Sequence, residues 1–485
     1  MFALSPETVL RPEPDGALMF QRETAETALL DLEGLDALYS LLKGQLRDYP
    51  VFFVGYLLDK GFVVSGRPDG SSIAEGLLTE AKEGSVGRPS PIVGERARLD
   101  LLRVEAVRDA APATTAPPRS LAAPETIHFS VTGRCDQACA GCFYSAQPGS
   151  DVAAEHAPWS LFEQVVHEAE RARVFQMALG GGEPLLHPQI VDMVRLAREH
   201  SIVPNLTTNG NRLTRDLAVA LKEAGLGQVQ ISLNGATEEA NAGTRPNFRQ
   251  AMRALETCRE VGLRFGINFL VTRSNLGELS AVVELGRRLG AASVNLLRPK
   301  PPTTEGDWLE RESLDAEGYG TVKKLLRRLK SKVQSPKSGT LDLGPRTLDC
   351  KTTLDASLTF LLTDHPPDQL YRGGIWGCCA ARKFVTILQD GAILPCSHVR
   401  WSDVGGGDFM RAWWESEIFA RFRAQEEGMR GRCRACPYLE LCKGCRAAVM
   451  AFGGDFSDSD PHCPRGGSSS SEAPAPLNKE GVGEP

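Results

Sequence analysis

The sequence predicts an α/β protein whose centre is a partial (βα)6 barrel, with a small α+β domain before it and a cysteine-rich domain after it. Strand and helix patterns alternate over residues 125–335, which is typical of a parallel sheet covered by helices. About six strands fit that stretch, too few to close an eight-stranded barrel. Of the 13 cysteines, only Cys258 and Cys350 lie outside two zones, 135–142 and 378–463.

The composition predicts a soluble globular protein of several domains. The 485 residues are 42% hydrophobic and 24% charged, and the formal net charge of -6 argues against a nucleic-acid binder. No apolar run approaches the roughly 20 residues that cross a bilayer. The N-terminus lacks the pattern of a secretory signal, so we expect a cytoplasmic protein without membrane contact. We divide the chain into residues 1–70, a linking region 71–124, the barrel 125–335, the cysteine-rich domain 336–463 and a disordered tail 464–485.

The first domain has strands before helices. Alternating and helical hydrophobic patterns predict short strands at 8–11, 17–21 and 27–30, helices at 35–42 and 51–60, and a closing strand at 62–64. In the linking region, residues 72–82 have a helical pattern, and residues 110–124 are rich in Ala, Pro and Thr.

The barrel has a regular order. Its predicted strands are 126–131, 176–179, 203–207, 228–233, 265–271 and 293–298, and its predicted helices are 160–172, 189–200, 216–224, 248–261, 278–289 and 319–333. Ser160 and Glu163 form a capping-box pattern at the start of the first helix. Catalytic groups are expected at the carboxyl ends of the strands.

Three cysteines follow the first barrel strand directly. Cys135, Cys139 and Cys142 form a C-x3-C-x2-C run with small residues between them. Three thiolates can hold three irons of a four-iron cluster, which leaves the fourth iron open to a ligand. A zinc loop would be one ligand short unless a fourth came from elsewhere.

This run, with Phe143 after the last cysteine, resembles the radical S-adenosylmethionine (SAM) superfamily. The resemblance implies a [4Fe-4S] cluster whose open iron binds SAM, and hydrogen abstraction by a 5′-deoxyadenosyl radical. It extends over about 125–333. It implies that SAM contacts come from the loop after the second strand, from the ends of the next strands and, on weaker grounds, from two later residues: Gly181, Gly182, Glu183, Pro184, Asn209, Ser232, Asn268 and Arg298. Asn234 stands where many relatives carry Asp, which puts an acid role there in question.

Eight cysteines mark the last domain. Their spacing is C-x12-G-x4-C from Cys378 to Cys396, then C-x2-C-x5-C-x2-C from Cys433, then Cys463. By count they match two four-ligand sites, and spacing alone would favour zinc. Asp390-Gly391 reads as a hairpin turn that brings Cys378 or Cys379 beside Cys396.

The same spacing resembles the SPASM extension of radical SAM enzymes, apart from one gap of two residues where three is usual. The resemblance implies two auxiliary iron–sulfur clusters. One would use Cys433, Cys436, Cys442 and Cys463. The other would use Cys396, Cys445 and one or both of Cys378 and Cys379, and either has an open iron or recruits Cys350. Cys258 reads as a small buried residue, and the eight histidines show no metal-like spacing.

The N-terminal domain resembles the winged-helix-like, PqqD-like domain that recognises precursor peptides. Residues 9–11 and 56–62 carry the likeness, and the alternative is a structural cap. The resemblance implies a leader peptide bound as an added strand. We therefore expect a radical SAM enzyme that cross-links or otherwise oxidises a ribosomally made peptide, with an external electron donor such as flavodoxin or ferredoxin. The alternatives are a radical SAM enzyme acting on a small molecule or tetrapyrrole, for example by oxidative decarboxylation, and a zinc-binding interaction protein. No single residue stands out as a catalytic acid or base.

Overall fold

The computed structural model divides the chain into two compact units, Met1–Ala122 and Ala123–Pro485. It describes residues 2–13, 16–24, 26–42, 51–65, 104, 120–144, 156–301, 307–331, 350–372, 375 and 377–465. The predicted helix at 72–82, nearly all of the linking region and nearly all of the tail lie outside these residues. Among the described residues, no helix has the length and apolar character needed to cross a membrane.

The N-terminal unit contains a three-stranded antiparallel sheet and a separate two-stranded one. The larger sheet has the order β2 (Thr8–Glu13), β3 (Gly16–Gln21), β4 (Glu26–Asp31), so β2 and β4 are its edges. β1 (Phe2–Leu4) pairs with β5 (Val63–Ser65), and β1 is a strand that the sequence pattern did not predict.

Two helices complete this unit. α1 (Leu32–Leu42) and α2 (Val51–Asp59) follow the sheet at the positions the hydrophobic spacing predicted. Their apolar residues share one core with those of the strands, which includes the fully buried Met19, Leu38, Leu57 and Phe62. A small α+β domain is therefore confirmed.

The second unit is organised around one large sheet whose central strands are parallel. The six predicted barrel strands are present as β6 (Thr126–Thr132), β7 (Gln176–Gly181), β8 (Val203–Thr208), β9 (Gln228–Ser232), β10 (Phe265–Leu270) and β11 (Ser293–Leu297). They lie side by side in chain order, and each pair is parallel. The partial (βα)6 barrel is confirmed.

Three further strands extend the sheet at its two ends. β12 (Lys351–Leu354) adds parallel to β11, and β13 (Phe384–Ile387) adds parallel to β6. β14 (Ile393–Leu394) then pairs antiparallel with β13, which confirms the hairpin turn at Asp390-Gly391. β12 was not predicted because it is only four residues long and two of them are exposed.

Helices follow the strands of this sheet, and the longer ones cover its outer face. They are α3 (Trp159–Arg171), α4 (Ile190–Glu199), α5 (Arg215–Glu223), α6 (Glu238–Ala242), α7 (Phe248–Val261), α8 (Leu279–Leu289), α9 (Trp308–Glu312) and α10 (Ala316–Ser331). Their buried faces meet alternate strand residues such as Ile127, Leu179 and Ile231 in one core. The predicted capping box at Ser160 is wrong. The helix begins at Trp159, so Ser160 lies inside its first turn. Pro158 is the N-cap residue, and no side chain caps the helix because proline has no acceptor to offer.

The cysteine-rich region is mostly loops and short helices. The helices are α11 (Pro367–Arg372), α12 (Phe409–Glu415), α13 (Glu417–Arg423), α14 (Leu439–Cys442) and α15 (Arg446–Ala451). Aromatic residues of this region, among them Trp413, Phe419 and Phe422, are fully buried in the same core as the barrel. The barrel and the cysteine-rich region are therefore parts of one packed body.

Candidate functional site

The loop that leaves β6 carries the first three cysteines. Cys135, Cys139 and Cys142 are half-buried, and none is in a disulfide. Burial raises the pKa of Cys135 to about 12, and it also raises the pKa of Cys139. A thiol must lose its proton before it binds a metal. A bound metal ion would supply the positive charge that stabilises the thiolates in this half-buried loop.

Gly141 lets this loop turn tightly against a tryptophan. Its φ of +68° lies in the left-handed region, and a Cβ there would come within 2.1 Å of the Trp308 ring. Only glycine fits both conditions without displacing the ring. The loop between Cys139 and Cys142 is therefore fixed by close packing on α9.

The Gly-Gly-Glu-Pro loop after β7 packs on the cysteine loop. The N–H of Gly182 donates to the carbonyl of Thr132 over 2.8 Å, and the N–H of Glu183 donates to that of Arg134 over 2.7 Å. A Cβ at Gly182 would lie 2.1 Å from the Arg134 carbonyl oxygen, whereas one at Gly180 would meet nothing within 4 Å. Gly182 thus lets this loop approach the cysteine loop closely. Gly180, near the end of β7, has open space beside it.

Glu183 ties the ends of two strands together. Its buried carboxylate accepts hydrogen bonds from the Leu185 N–H (3.1 Å), the Thr208 hydroxyl (2.6 Å) and the Asn209 N–H (2.8 Å). Burial raises the pKa of Glu183 to about 7, against the effect of these three donors. These three hydrogen bonds fix the position of the end of β8 relative to the loop after β7.

Asn209 connects β8 to the cysteine loop. Its amide donates to the carboxylate of Asp136, next to Cys135, over 2.8 Å. Its main-chain carbonyl accepts a 2.6 Å hydrogen bond from the amide of Asn247. Asn209 therefore helps to position the cysteine loop through protein contacts.

An arginine that the sequence did not single out lies beside Cys139. Arg245 donates to the sulfur of Cys139 at 3.5 Å, and its positive charge opposes the burial that raises the pKa of that thiol. The N–H of Ala140 donates to the carbonyl of Thr244 over 3.2 Å, which holds the two loops together. Arg245 is about one hundred residues away in the chain and follows no recognisable motif, so no sequence signal could have identified it.

Asn234 has a structural part in the same region. Its amide donates to the Thr244 hydroxyl over 2.9 Å, and its side-chain oxygen accepts from the Leu270 N–H over 3.0 Å. Its main-chain carbonyl also accepts from Asn275 over 3.0 Å. Because both ends of the side chain are engaged, Asn234 holds the loop that carries Arg245.

The inner face of the sheet is polar. Ser232, Asn268 and Asn295 lie in register on β9, β10 and β11, and the Asn295 amide donates to the Asn268 side-chain oxygen over 2.9 Å. Gln176 and Asn205 make a similar 3.0 Å contact between β7 and β8. Since the apolar side chains of these strands face the helices, the polar rows face the open interior of the partial barrel.

Ionisable side chains collect in that interior near β6 and β12. Lys300 and Asp355 form a 2.6 Å ion pair that is largely shielded from solvent. Burial would lower the pKa of Lys300, but the charge and hydrogen bond of Asp355, together with the thiols of Cys445 and Cys396, raise it. The His128 ring on β6 contacts the Ser397 hydroxyl at 3.2 Å, and burial lowers its pKa to about 4.

Arg298 is directed to the cysteine-rich region. Its guanidinium forms two hydrogen bonds with the carboxylate of Asp460, at 2.6 and 2.8 Å, and both side chains are 1% exposed. It also contacts the His462 ring at 2.8 Å and the Ser357 carbonyl at 3.4 Å. All of these contacts differ from the SAM contact that the sequence suggested for Arg298.

Four of the later cysteines line one recess. Its walls include Cys433, Cys436, Cys442, Cys463 and Asp460. These are the four cysteines that the resemblance to the SPASM extension assigned to one cluster. Four thiols around a common space fit a four-ligand metal site.

Three other cysteines form a second group. The thiols of Cys378 and Cys445 add to the burial that raises the pKa of Cys396 to about 12. Burial raises the pKa of Cys379 to about 11, and the thiol of Cys378 adds to this effect. The Cys379 thiol donates to the Gly377 carbonyl over 3.1 Å. Cys378 and Cys445 are thus the thiols that act on Cys396.

The two cysteines outside both zones lie elsewhere. Cys350 is buried at the start of β12, where its sulfur lies 3.4 Å from the position of a Cβ on Gly286 in α8. That location is in the outer helical layer and does not favour recruitment of Cys350 to a cluster. Cys258 is fully buried on α7, which confirms its interpretation as a packing residue.

The structure also brings histidines together that the spacing did not connect. His167 and Glu170 on α3 and His200 after α4 place their ligand atoms within 4.8 Å of one another. Their spacing along the chain gives no sign of this group, because the helices that carry them meet only in the folded protein. His200 and Glu170 already form a 2.8 Å contact on the exposed outer surface.

The parallel partial barrel and the three-cysteine loop at the end of its first strand define a radical SAM domain. Residues 129–285 match the family model of the Radical SAM superfamily. The chain is a radical SAM enzyme.

Comparisons with individual proteins extend beyond that domain. The chain is 25% identical over 353 residues to the AdoMet-dependent heme synthase of Methanosarcina barkeri, covering 70% of this chain and 96% of that protein. It is 29% identical over 378 residues to the mycofactocin maturase MftC of Mycolicibacterium smegmatis, covering 75% and 87%.

A solved structure matches nearly the whole chain. SuiB of Streptococcus suis bound to precursor peptide SuiA aligns with a TM-score of 0.61 and 16% identity, covering 96% of this chain and all of that one. SuiB has also been solved bound to S-adenosylmethionine. At this identity the likeness shows a shared fold.

Proposed function

We propose that this radical SAM enzyme modifies a ribosomally made precursor peptide, by cross-linking or otherwise oxidising a side chain. The observation that carries the proposal is the N-terminal unit. It has its own core, and the fold likeness to SuiB, a protein solved with a precursor peptide, covers 96% of the chain and so includes it. A catalytic barrel alone would not need such a unit.

The N-terminal sheet offers an edge to an extended peptide. β4 is an edge strand that contains no proline and exposes Leu29 to 38%. The other edge, β2, contains Pro12, which lacks an N–H, and the Glu13 carboxylate there accepts from the Ala122 N–H over 2.6 Å. We therefore propose that the leader peptide binds as an added strand on β4, in a PqqD-like manner.

The first cluster and SAM would be held by the loops around β6, β7 and β8. Cys135, Cys139 and Cys142 would bind three irons of a [4Fe-4S] cluster. When bound, the cluster and SAM together would supply the abstraction of a hydrogen atom from an unactivated C–H bond. SAM would be surrounded by the open space beside Gly180, the loop Gly181–Pro184, Asn209 and the polar row of Ser232 and Asn268. Arg298 would not contact SAM, because its guanidinium is paired with Asp460.

Two auxiliary iron–sulfur clusters would occupy the cysteine-rich region. The recess of Cys433, Cys436, Cys442 and Cys463 would hold one with four thiolates. The group of Cys378, Cys396 and Cys445 would hold the other with three, which leaves one iron without a thiolate. Cys379 and Cys350 would bind neither. Electrons would come from an external donor such as flavodoxin or ferredoxin.

The peptide would be oriented by the ionisable groups of the barrel interior. Lys300 and Asp355 lie at the carboxyl ends of neighbouring strands, where ligands bind in parallel sheets. Their ion pair would present one positive and one negative charge at fixed positions to a peptide that enters the barrel at the carboxyl ends of its strands. Replacing Lys300 with Met should impair peptide modification more than peptide-independent SAM cleavage.

The decisive experiment is anaerobic co-expression of the enzyme with a short peptide encoded beside its gene, followed by mass spectrometry of the peptide. We expect a mass change that disappears when Cys135, Cys139 and Cys142 are all replaced by Ala. An unchanged peptide together with intact SAM cleavage would contradict the proposal, and would favour a small molecule or tetrapyrrole as substrate.

Leader binding is tested separately. Leu29→Lys should weaken the affinity for the leader peptide about tenfold, which corresponds to roughly 1.4 kcal/mol. Val64→Lys is the matched control, because Val64 is exposed to 42% in the same unit but belongs to the two-stranded sheet. Equal effects of both substitutions would argue against a binding edge at β4.

A further inference from the structure

The ion pair of Arg298 and Asp460 lies between the two auxiliary cysteine groups. Besides binding Arg298, the Asp460 carboxylate accepts a 2.9 Å hydrogen bond from the N–H of Cys445. Asp460 also lines the recess of Cys433, Cys436, Cys442 and Cys463. One carboxylate therefore contacts the backbone of one cysteine group and borders the space enclosed by the other.

The surroundings of the pair exclude water. The Arg298 guanidinium lies 5.7 Å from the ring centroid of Tyr319 and 5.5 Å from that of Phe360, both of which are buried. The charged atoms of Arg298 and Asp460 lie 2.6 Å apart, and each side chain is 1% exposed. Both side chains are thus charged in a medium of low dielectric constant, where charges act strongly on their neighbours.

A buried ion pair adds little net stability, because removing both charges from water costs free energy. Replacing a buried ion pair with apolar side chains is often neutral or stabilising, so its presence calls for another reason. The reduction potential of an iron–sulfur cluster depends on the charges and hydrogen bonds around its sulfurs. Asp460, the partner of Arg298, already accepts a hydrogen bond from the main-chain N–H of Cys445.

We propose that Asp460 is a positioning residue that holds the main-chain N–H of Cys445, and that Arg298 balances the Asp460 charge, so that the carboxylate does not lower the reduction potential of the auxiliary cluster bound through Cys445. The inference rests on the proposed function, because it requires that cluster. A cation beside a cluster favours the reduced, more negative state, and an anion disfavours it. Since Arg298 and Asp460 have opposite charges at one place, each offsets the other in the wild-type protein.

The test is an EPR-monitored redox titration of the full-length, iron-reconstituted enzyme. Cys135, Cys139 and Cys142 are replaced by Ala in every sample, so that only auxiliary signals are present. Arg298→Gln should shift the midpoint potential to more negative values, and Asp460→Asn should shift it to more positive values. The double variant should return to the wild-type potential because its net charge is unchanged.

The control is Arg215→Gln, which removes an exposed arginine from a surface pair with Glu260 on the outer helices. It should leave the potential unchanged. The proposal is overturned if both single variants keep their iron and their wild-type potential, or if both shift in the same direction.

Loss of iron from a single variant would not end the test. Arg298→Lys and the double variant both keep the net charge of the pair, and both should keep the wild-type potential. A shift in either of them would overturn the inference. A protein without any auxiliary iron in the wild-type cysteine-rich region would instead overturn the auxiliary sites themselves, and iron analysis distinguishes the two results.

Discussion

The Thr208 hydroxyl donates a 2.6 Å hydrogen bond to the carboxylate of Glu183, and this contact joins the end of β8 to the loop after β7. Two main-chain N–H groups donate to the same buried carboxylate. Three donors on one acidic side chain mean that Glu183 organises the surrounding loops through its acceptor oxygens.

Glu183→Gln should therefore destabilise the protein. The glutamine places an NH2 group where one oxygen now accepts, so it meets a donor and leaves a buried group unsatisfied. We expect a loss of about 1–3 kcal/mol in the free energy of unfolding, measured in urea, together with weaker SAM binding. Glu163→Gln, an exposed change on α3, is the control. Equal stability of the two variants would show that the three hydrogen bonds contribute little.

Glu168 provides a pH-dependent prediction away from the cysteines. Burial raises its pKa to about 7, while the Met410 N–H, which donates over 3.0 Å, acts in the opposite direction. Because the folded protein binds this proton more tightly than the unfolded chain, stability from this group falls as the pH rises from about 4.5 to about 7.

Glu168→Gln removes that titration. The variant should gain stability relative to the wild type between pH 5 and pH 8, by about 1–2 kcal/mol after allowance for partial solvent screening. Urea unfolding at the two pH values gives the difference. A constant difference between variant and wild type over this range would contradict the raised pKa.

Much of the fold could be predicted from the sequence, because strands of a parallel barrel are apolar on one face and helices follow at regular intervals. The six strands from β6 to β11 are of this kind. The hairpin at Asp390-Gly391 was visible for another reason, because Asp-Gly favours a tight turn. β1 and β12 were missed, because strands of three or four residues are too short to show a period and depend on pairing with distant strands.

The site divides in the same way. The three-cysteine loop and the Gly-Gly-Glu-Pro loop are contiguous in the chain, so their motifs are visible. The contacts of Arg245 with Cys139 and of Arg298 with Asp460 join residues more than one hundred positions apart. Only the folded chain brings such pairs together, which is why the sequence suggested a SAM contact for Arg298 and nothing for Arg245.

The second cysteine group leads to a prediction about iron content. Cys378→Ala should lose the cluster that we propose is bound by Cys378, Cys396 and Cys445, because it removes one of the three proposed thiolate ligands. Cys379→Ala should keep it, since that thiol donates to a main-chain carbonyl. Iron and acid-labile sulfide per chain, with EPR of the reduced protein, distinguish the two. Loss of the cluster in Cys379→Ala would require a different ligand set.

Arg245→Met should weaken the first cluster site. The guanidinium favours the thiolate form of Cys139, so its removal raises the cost of forming the ligand. We expect roughly a tenfold fall in the rate of SAM cleavage, or in the fraction of chains with the first cluster. Arg249→Met is the matched control, because Arg249 is exposed and pairs with Glu238 on the outer surface. The same fall in both variants would indicate a general effect of losing a positive charge.

Gly141 and Trp308 allow steric and backbone effects to be separated. Gly141→Ala places a methyl group 2.1 Å from the Trp308 ring and also puts alanine at a φ of +68°. The ring must move or the cysteine loop must shift, so the single variant should lose most of its first-cluster iron.

The double variant Gly141→Ala, Trp308→Ala removes the clash but keeps the backbone strain of about 1–2 kcal/mol. We expect it to regain part of the iron that Gly141→Ala loses, whereas Trp308→Ala alone should bind nearly as much as the wild type. EPR of the first cluster, measured with SAM, gives the occupancy of each protein. If the double variant bound no more iron than Gly141→Ala, the left-handed backbone at Gly141 would be the main requirement of the cysteine loop, and packing on Trp308 would be secondary.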